Sequence, residues 1–479
     1  MRLEDYWGVG PKTDELLRES MGAERALEAI ESANIRALVD AGIPRGRAVR
    51  ILRRANGAAG IETLGTPDAR NVYDDLLTLA SAHALTTHAA DRIRVLTPLP
   101  SVEEREHRLD RVSAARDAWT SLDDAERDAV ESAFDAYDDA DGSDRAAVET
   151  AVKLRAAGLR GGTFSALDGL DDDALAAAAD ALGTVGADGS VAAGVDDDLD
   201  RLRERRDAVA DLERGALDVL ESVRERGVRS FEEFRAAFVE YVAAETDVSR
   251  GRVEGTVADD ARDEADFAST SLRNLLSELD AAAETREETV AAALRDSIEG
   301  ARDDVDVAVS AVSEIAVDLS LGRFAAAHDL RRPDLVDDGL AVVGARNLSL
   351  SGAVQPVTYA IGSHGLDGAD TDLPDAPAGL PSGDRVAVLT GANSGGKTTL
   401  LETLAQVALL ASMGLPVPAE RAAVGEFDSV VFHRRHASFN AGVLESTLKS
   451  IVPPLSAGDR TLMLVDEFEA ITEPGRAAD

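Results

Sequence analysis

The sequence predicts a multidomain protein: a small N-terminal helical module, a long all-α middle and a C-terminal α/β domain. Three observations carry that expectation. Glycine-containing turns punctuate residues 1–60. Apolar residues then recur at spacings of three and four through much of residues 70–335, the period of helices with one buried face. After residue 338 short β-branched runs alternate with helical or loop segments, the texture of a layered α/β domain.

The N-terminal module stands apart by charge. The 479-residue chain has 90 acidic and 50 basic residues, a net charge of −40, yet residues 1–60 hold ten Lys or Arg against nine Asp or Glu. No acid lies between Asp40 and Glu62, while Arg45, Arg47, Arg50, Arg53 and Arg54 do. The run Gly8-Val9-Gly10-Pro11-Lys12-Thr13, followed by Leu16 and Leu17, resembles the turn of a helix-hairpin-helix module. Such a turn presents backbone amides to a DNA phosphate, and Lys12 would add charge. A weaker copy, from Ala41 through Gly42, Ile43 and Pro44 to Ala48, carries proline where the pattern has its second glycine, which removes one amide donor. The candidate nucleic-acid contacts are therefore Gly8, Gly10, Lys12, Gly42, Arg45, Arg47, Arg50, Arg53 and Arg54. They would position a backbone without reading bases. A small helical domain would also need glycine in its turns; it is the coincidence of the motif with the acid-free arginines that points to DNA or RNA.

In the middle region Val72, Leu76, Leu77 and Leu79 begin a helical rhythm, Pro98 and Pro100 break it, and a highly charged helix follows over residues 102–118. Residues 158–198 hold paired glycines and two Asp-Asp-Asp runs and read as a mobile insertion. Leu272, Leu276, Leu279, Val290, Leu294, Ile298, Ala301, Val305, Val309, Val312 and Ile315 form a stripe that Gly300 interrupts. Packing within a bundle and an extended coiled coil both account for that stripe.

Strands are expected at residues 340–343, 386–390, 429–432 and 461–465, with a Gly, Asp and Pro-rich connector at 362–384. Between the second strand and a helix through Leu400, Leu401, Leu404 and Val407 lies G-x-x-x-x-G-K-T, a P-loop: Gly391, Ala392, Asn393, Ser394, Gly395, Gly396, Lys397, Thr398 and, next, Thr399. Glycines let the backbone wrap phosphates, the helix N-terminus adds positive field, and the lysine reaches the β and γ phosphates of ATP. Thr398 would place its hydroxyl on Mg2+. The apolar strand at 461–465 delivers Asp466 and Glu467; Asp466 suits a magnesium-organising acid and Glu467 a residue that polarises the attacking water. Lys397 and Glu467 are thus the catalytic candidates, and a glutamate there favours hydrolysis over transfer to a metabolite. His433 and His436 lack a third ligand and make a weak metal site.

The remaining composition narrows the classes. There are no cysteines, which excludes thiolate metal sites, disulfides and cysteine nucleophiles. No run of eighteen apolar residues and no secretory start is present, so a soluble cytoplasmic protein with no membrane partner is expected. Only four lysines occur, Lys12, Lys153, Lys397 and Lys449. An acidic, lysine-poor surface looks like that of halophilic proteins, where molar salt screens self-repulsion.

With these motifs in place the chain resembles the MutS family of DNA-clamping ATPases over residues 70–479. The P-loop with Asn393 between its glycines, the following LLASMGLPVPA segment at 409–419, and Leu464-Val465-Asp466-Glu467-Phe468 carry the likeness. Residues 72–109 and 319–333 resemble the start and end of the family's helical core. The resemblance implies helical core, lever and clamp at 70–335 and a P-loop ATPase domain of ABC type at 338–479, with the helix-hairpin-helix DNA-binding region read at 1–60 standing ahead of them. It further implies a homodimer closing on double-stranded or branched DNA in repair or recombination, with DNA-coupled ATPase activity. Departures matter too. No mismatch-reading domain with Phe-x-Glu is seen, which fits a short MutS-like branch. The Ser-Thr-Phe-x-x-Glu signature appears only as residues 440–445, with Glu445 kept, and the C-terminal domain reads as incomplete after Glu467. A nucleotide-gated structural clamp with negligible hydrolysis, and a chromosome-maintenance type ATPase, are the alternatives.

Overall fold

The computed structural model of the chain describes residues 2–140, 142–186, 189–352, 354–366, 380–390, 396–434 and 460–466. The chain divides into two compact units, Met1–Gly169 with Val307–Asp479, and Leu170–Asp306.

The first unit begins with a 3-10 turn at Leu3–Asp5, then α1 (Pro11–Met21), α2 (Ala23–Glu31), α3 (Ile35–Asp40) and α4 (Arg45–Glu62). Their apolar faces close on one core that includes Leu3, Val9, Leu17, Ile30, Ile35, Leu38, Ile43 and Ile51. Burial of each such side chain stabilises by roughly 1.5–3 kcal/mol. Two turns share one geometry. Gly8 (φ +85°) precedes buried Val9, and Gly42 (φ +94°) precedes buried Ile43; both glycines occupy the left-handed region where a side chain is strained. Only the second turn is flanked by α-helices on both sides, because a 3-10 turn leads into the first.

Helix α4 is kinked at Gly57. A Cβ at Gly57 would lie 1.9 Å from the Thr97 hydroxyl oxygen, and one at Gly60 2.0 Å from the Pro98 carbonyl oxygen. These two glycines let the end of α4 press onto the loop holding Pro98. Next come α5 (Pro67–Ser81), α6 (Thr87–Arg94), α7 (Val102–Ser121), α8 (Asp124–Asp139) and α9 (Asp144–Ala156). Side-chain oxygens of Thr66, Thr86, Ser101, Asp123 and Ser143 cap their N-termini in turn, each satisfying an otherwise unpaired amide.

The second unit is helical: α10 (Asp172–Ala181), α11 (Asp197–Arg214), α12 (Ala216–Arg224), α13 (Phe231–Thr246), α14 (Arg250–Gly255) and the long α15 (Glu264–Gly300). Val209, Val219, Val223, Phe234, Phe238, Val242, Phe267, Leu272 and Leu279 make its main core. Phe267 meets Phe234 and Phe238 edge-to-face at 6.1 and 5.3 Å. The early part of the α15 stripe is thus spent on neighbours in a bundle. Of the segment read as an insertion, the 3-10 turn at Gly162–Leu167 belongs to the first unit, with Phe164 and Leu167 buried, and α10 to the second, with Leu175 and Ala178 buried. Gly300 does end α15, and α16 (Arg302–Ala327) resumes the stripe with Val305, Val312 and Ile315 buried.

The C-terminal part of the first unit carries two sheets. β1 (Asp334–Val336), β4 (Arg421–Gly425), β2 (Leu340–Ala345) and β3 (Val357–Ile361) form a mixed sheet in the order β1-β4-β2-β3, parallel only between β1 and β4. β5 (Ser429–His433) pairs in parallel with β6 (Thr461–Val465), Val430 opposite Leu462. The helix α17 (Lys397–Ser412) begins at the lysine of the expected P-loop and is buried over most of its length. One expected strand is corrected: residues 386–390 adopt no strand, and Val386 and Val388 are each 83 % exposed. β-branched residues favour a strand only where a pleated surface receives them, and among the described residues no sheet edge pairs with this run.

Candidate functional site

The nucleotide candidate is assembled from the start of α17 and the end of β6. Gly396 caps the helix from the left-handed region (φ +75°), and Leu400 donates back to its carbonyl at 2.8 Å. Lys397, Thr398 and Thr399 therefore form the first turn, whose amides have no acceptor within the helix and where the axial dipole favours an anion. Asp466 stands one residue beyond β6, its amide donating to the His433 carbonyl at 3.0 Å. Its carboxylate, 8 % exposed, accepts the Thr398 hydroxyl at 2.5 Å. Two residues 68 positions apart in sequence thus meet. A hydroxyl and a carboxylate are the oxygen donors a small hard cation takes, with phosphates completing its shell, so this pair fits magnesium. Residues 391–395 and Glu467 lie outside the described residues, as do His436 and residues 440–445. Among the described residues no group of three or more His, Asp or Glu could hold a metal.

A polar layer that sequence reasoning missed stands behind this turn. Gln406, 1 % exposed, donates to Asn347 at 3.3 Å and to Ser349 at 2.9 Å, and accepts from the Leu348 amide at 2.9 Å. The Asn347 amide reaches the Thr399 carbonyl at 3.4 Å. Glu402 pairs with Arg434 at 2.6 Å and accepts from Ser349 at 3.2 Å. Gln406 was detectable as a polar residue inside an apolar helical run; its partners, some 57 to 59 residues upstream, were not.

A second feature legible only in three dimensions is a strap from the N-terminal half. Residues 63–66 run along the outer edge of β5: the Val430 amide donates to the Thr63 carbonyl at 2.7 Å, and the Gly65 amide to the Val430 carbonyl at 3.0 Å. Thr66 holds the Phe432 backbone and Asp68 accepts the Arg434 amide at 2.9 Å. The backbone leaving α4 is therefore continuous with the sheet that presents Asp466.

At the N-terminal face the candidates divide by what they touch. Arg53 is structural: it bonds the Arg94 carbonyl at 2.9 Å and Asp74 at 2.6 Å, and lies over Tyr73. Arg45 pairs with Asp91, a carboxyl that burial pushes above its ordinary value despite that arginine. Arg47 buttresses the first turn, donating to the Gly8 carbonyl at 3.1 Å and the Thr13 hydroxyl at 2.8 Å. Arg54 sits over the Trp7 ring and 3.8 Å from Glu62. Lys12 is exposed in the first turn of α1, and Arg50 is exposed with its Nε on the Gly46 carbonyl. Gly10 and Pro44 both serve as N-caps with extended backbone, so proline fits the second turn although it donates no amide. No described helix is long and apolar enough to cross a membrane.

No family model matches the chain. It is 40 % identical over 153 residues to the DNA-binding protein MutS2 of Pyrococcus furiosus, covering 32 % of this chain and 25 % of that protein. It is 31 % identical over 179 residues to the DNA mismatch repair protein MutS of Natronomonas pharaonis, covering 36 % and 19 %. It is 35 % identical over 108 residues to the endonuclease MutS2 of Solidesulfovibrio magneticus, covering 21 % and 14 %. The chain thus spans a quarter or less of the length of these relatives. Likenesses of 31–40 % identity over part of the chain to proteins named MutS2 and MutS support membership of the MutS family.

Proposed function

We propose that the chain is an ATP-dependent DNA-binding protein of the MutS type that senses duplex or branched DNA in repair or recombination, working as a homodimeric clamp. In this reading residues 1–60 are a helix-hairpin-helix DNA-binding region. Residues 70–335 are core, lever and clamp, and residues 338–479 are a P-loop ATPase domain of ABC type. The observation that carries it is the 2.5 Å contact between Thr398 and Asp466, the two residue types that hold magnesium in such a site.

The roles follow from chemistry. Residues 391–399 cradle the phosphates, Lys397 neutralises the β and γ oxygens, and Thr398 with Asp466 holds Mg2+. Magnesium, when bound, supplies charge neutralisation for the transferring phosphoryl group. Glu467 orients the attacking water and accepts its proton. Coupling to DNA would run from α4 through residues 63–68 into β5, and from His433 to Asp466. The test is ATP hydrolysis in molar KCl: turnover rises with duplex or junction DNA and vanishes in Lys397→Ala. Turnover indifferent to DNA sinks the coupling.

A nucleotide-gated clamp with negligible hydrolysis is the second reading, favoured by the loss of the signature serine in residues 440–445. Glu467→Gln separates the two, since it leaves the DNA-bound lifetime unchanged in a clamp and alters it in an ATPase.

A further inference from the structure

Trp7 is one of two tryptophans in a chain that is only 4 % aromatic, and it is 57 % exposed. A core lies beside it: Leu3 and Val9, on either side in sequence, are 1 % and 4 % exposed. Lack of a place to bury is therefore not the reason the indole faces water. The ring is instead held by charge, with the Arg54 guanidinium 5.3 Å from its centroid. The next residue, Gly8, receives the Arg47 guanidinium on its carbonyl at 3.1 Å, and a Cβ there would come within 3.0 Å of Ile51. Arg47, Ile51 and Arg54 lie on one face of α4 at helical spacing, which places exposed Arg50 on that face as well. No acid occurs from residue 41 to 61 of a chain with net charge −40, and Glu62 is 3.8 Å from Arg54.

A single indole is too small a surface for a protein interface, and a helix face whose own residues from 41 to 61 supply arginines and no acid selects a polyanion. An aromatic ring among cations suits a nucleobase, whose π-face stacks on it while flanking phosphates meet the charges. Bases inside an intact duplex are already stacked on one another. The open ring is available only to a base that has left its stack.

Resting on the DNA-binding reading above, we propose that Trp7 is a stacking platform for an unpaired base of DNA at a branch point or overhang. Arg54 fixes the ring, and Arg50 and Lys12 hold neighbouring phosphates.

The experiment titrates the full chain with a blunt duplex and with the same duplex carrying a single-stranded overhang. Trp7→Ala weakens overhang binding about tenfold, with the blunt duplex changing less than about twofold, and Trp7→Phe restores most of the loss. In a Trp119→Phe background the unaltered Trp7 emission is quenched by the overhang and not by the blunt duplex, a readout independent of whether Trp7→Ala folds. Equal effects on both DNAs, or no quenching by the overhang, overturn the inference, as does preferential quenching by single-stranded RNA. Absence of binding to either DNA overturns the functional reading and this inference with it, whereas binding without discrimination overturns this inference alone.

Discussion

The Thr66 hydroxyl clamps both backbone groups of Phe432, 366 residues away, accepting from its amide at 3.1 Å and donating to its carbonyl at 2.7 Å. Thr66 is fully buried and also caps α5 through Ala69. One side chain therefore joins the helical half of the first unit to the edge of the sheet that carries the nucleotide candidate.

Thr66→Val keeps the shape and leaves the Phe432 amide and carbonyl without that partner. Each buried polar group so exposed costs about 1–3 kcal/mol. Urea unfolding is expected to show a loss of that order, and Thr66→Ser to recover most of it. If β5 transmits DNA state, Thr66→Val also lowers DNA stimulation of turnover more than turnover itself.

Gly57→Ala and Gly60→Ala are expected to destabilise by about 1–3 kcal/mol or more, as overpacking does, because the added carbon meets Thr97 and Pro98 at about 2 Å. Gly10→Ala is the contrast. Nothing lies within 4 Å of a Cβ at Gly10 and its φ is −88°, so its melting temperature should stay near that of the unaltered chain.

Asp466→Ala and Thr398→Val each remove one oxygen from the candidate magnesium pair. Loss of even an outer supporting partner of a metal typically costs 10–100-fold in affinity, so magnesium-dependent binding of an ATP analogue should fall by at least about tenfold. Binding measured with excess chelator should be similar in all three proteins; a deficit that persists without magnesium would mean that the pair acts on the nucleotide directly.

His83 and His328 face each other with their Nε2 atoms 3.2 Å apart, against Phe324. Burial holds both below the ordinary imidazole value; for His83 the other histidine and Arg323 add to the effect, and for His328 Arg346 does. The native pair stays neutral while the unfolded chain takes up protons. Its stabilisation is complete above about pH 6.5 and is lost as pH falls through the lowered values. Unfolding measured from about pH 8 to about pH 5 should show that decline, and His83→Phe with His328→Asn should flatten it, leaving the contribution of His88, which burial also lowers.

Asp428 and Arg460 brace the start of the β5–β6 pair. The Arg460 amide donates to the Asp428 carboxylate at 2.9 Å, and this bond, assisted by the guanidinium, holds the carboxyl below its ordinary value. That contribution is present above the usual carboxylate range and lost as pH falls through the depressed value. Asp428→Asn should therefore reduce the acid sensitivity of unfolding at the low-pH end.

Much of the helical architecture was legible because helical periodicity is local: the stripe of α15 and α16, the break at Gly300 and the glycine turns at Gly8 and Gly42 depend on residues a few positions apart. The order of Lys397, Thr398 and Asp466 was legible for the same reason, each lying where a helix starts or a strand ends. Three strands were not foreseen. β1 has three residues, β4 is rich in alanine, and β3 is only partly buried, so neither composition nor alternation marks them. The opposite error was residues 386–390, which read as a strand and whose valines are exposed outside any strand.

By itself the sequence singled out the candidates for phosphate and magnesium chemistry and where charge was withheld, since both are written in residue types and short spacings. Tertiary structure alone decided that Arg53 is tied to Asp74 and Tyr73 while Lys12 and Arg50 face solvent, and that Thr66 reaches Phe432. An arginine's partners and a hydroxyl's acceptors are set by which distant backbones pack together, and packing minimises buried, unpaired polar groups across the whole unit at once.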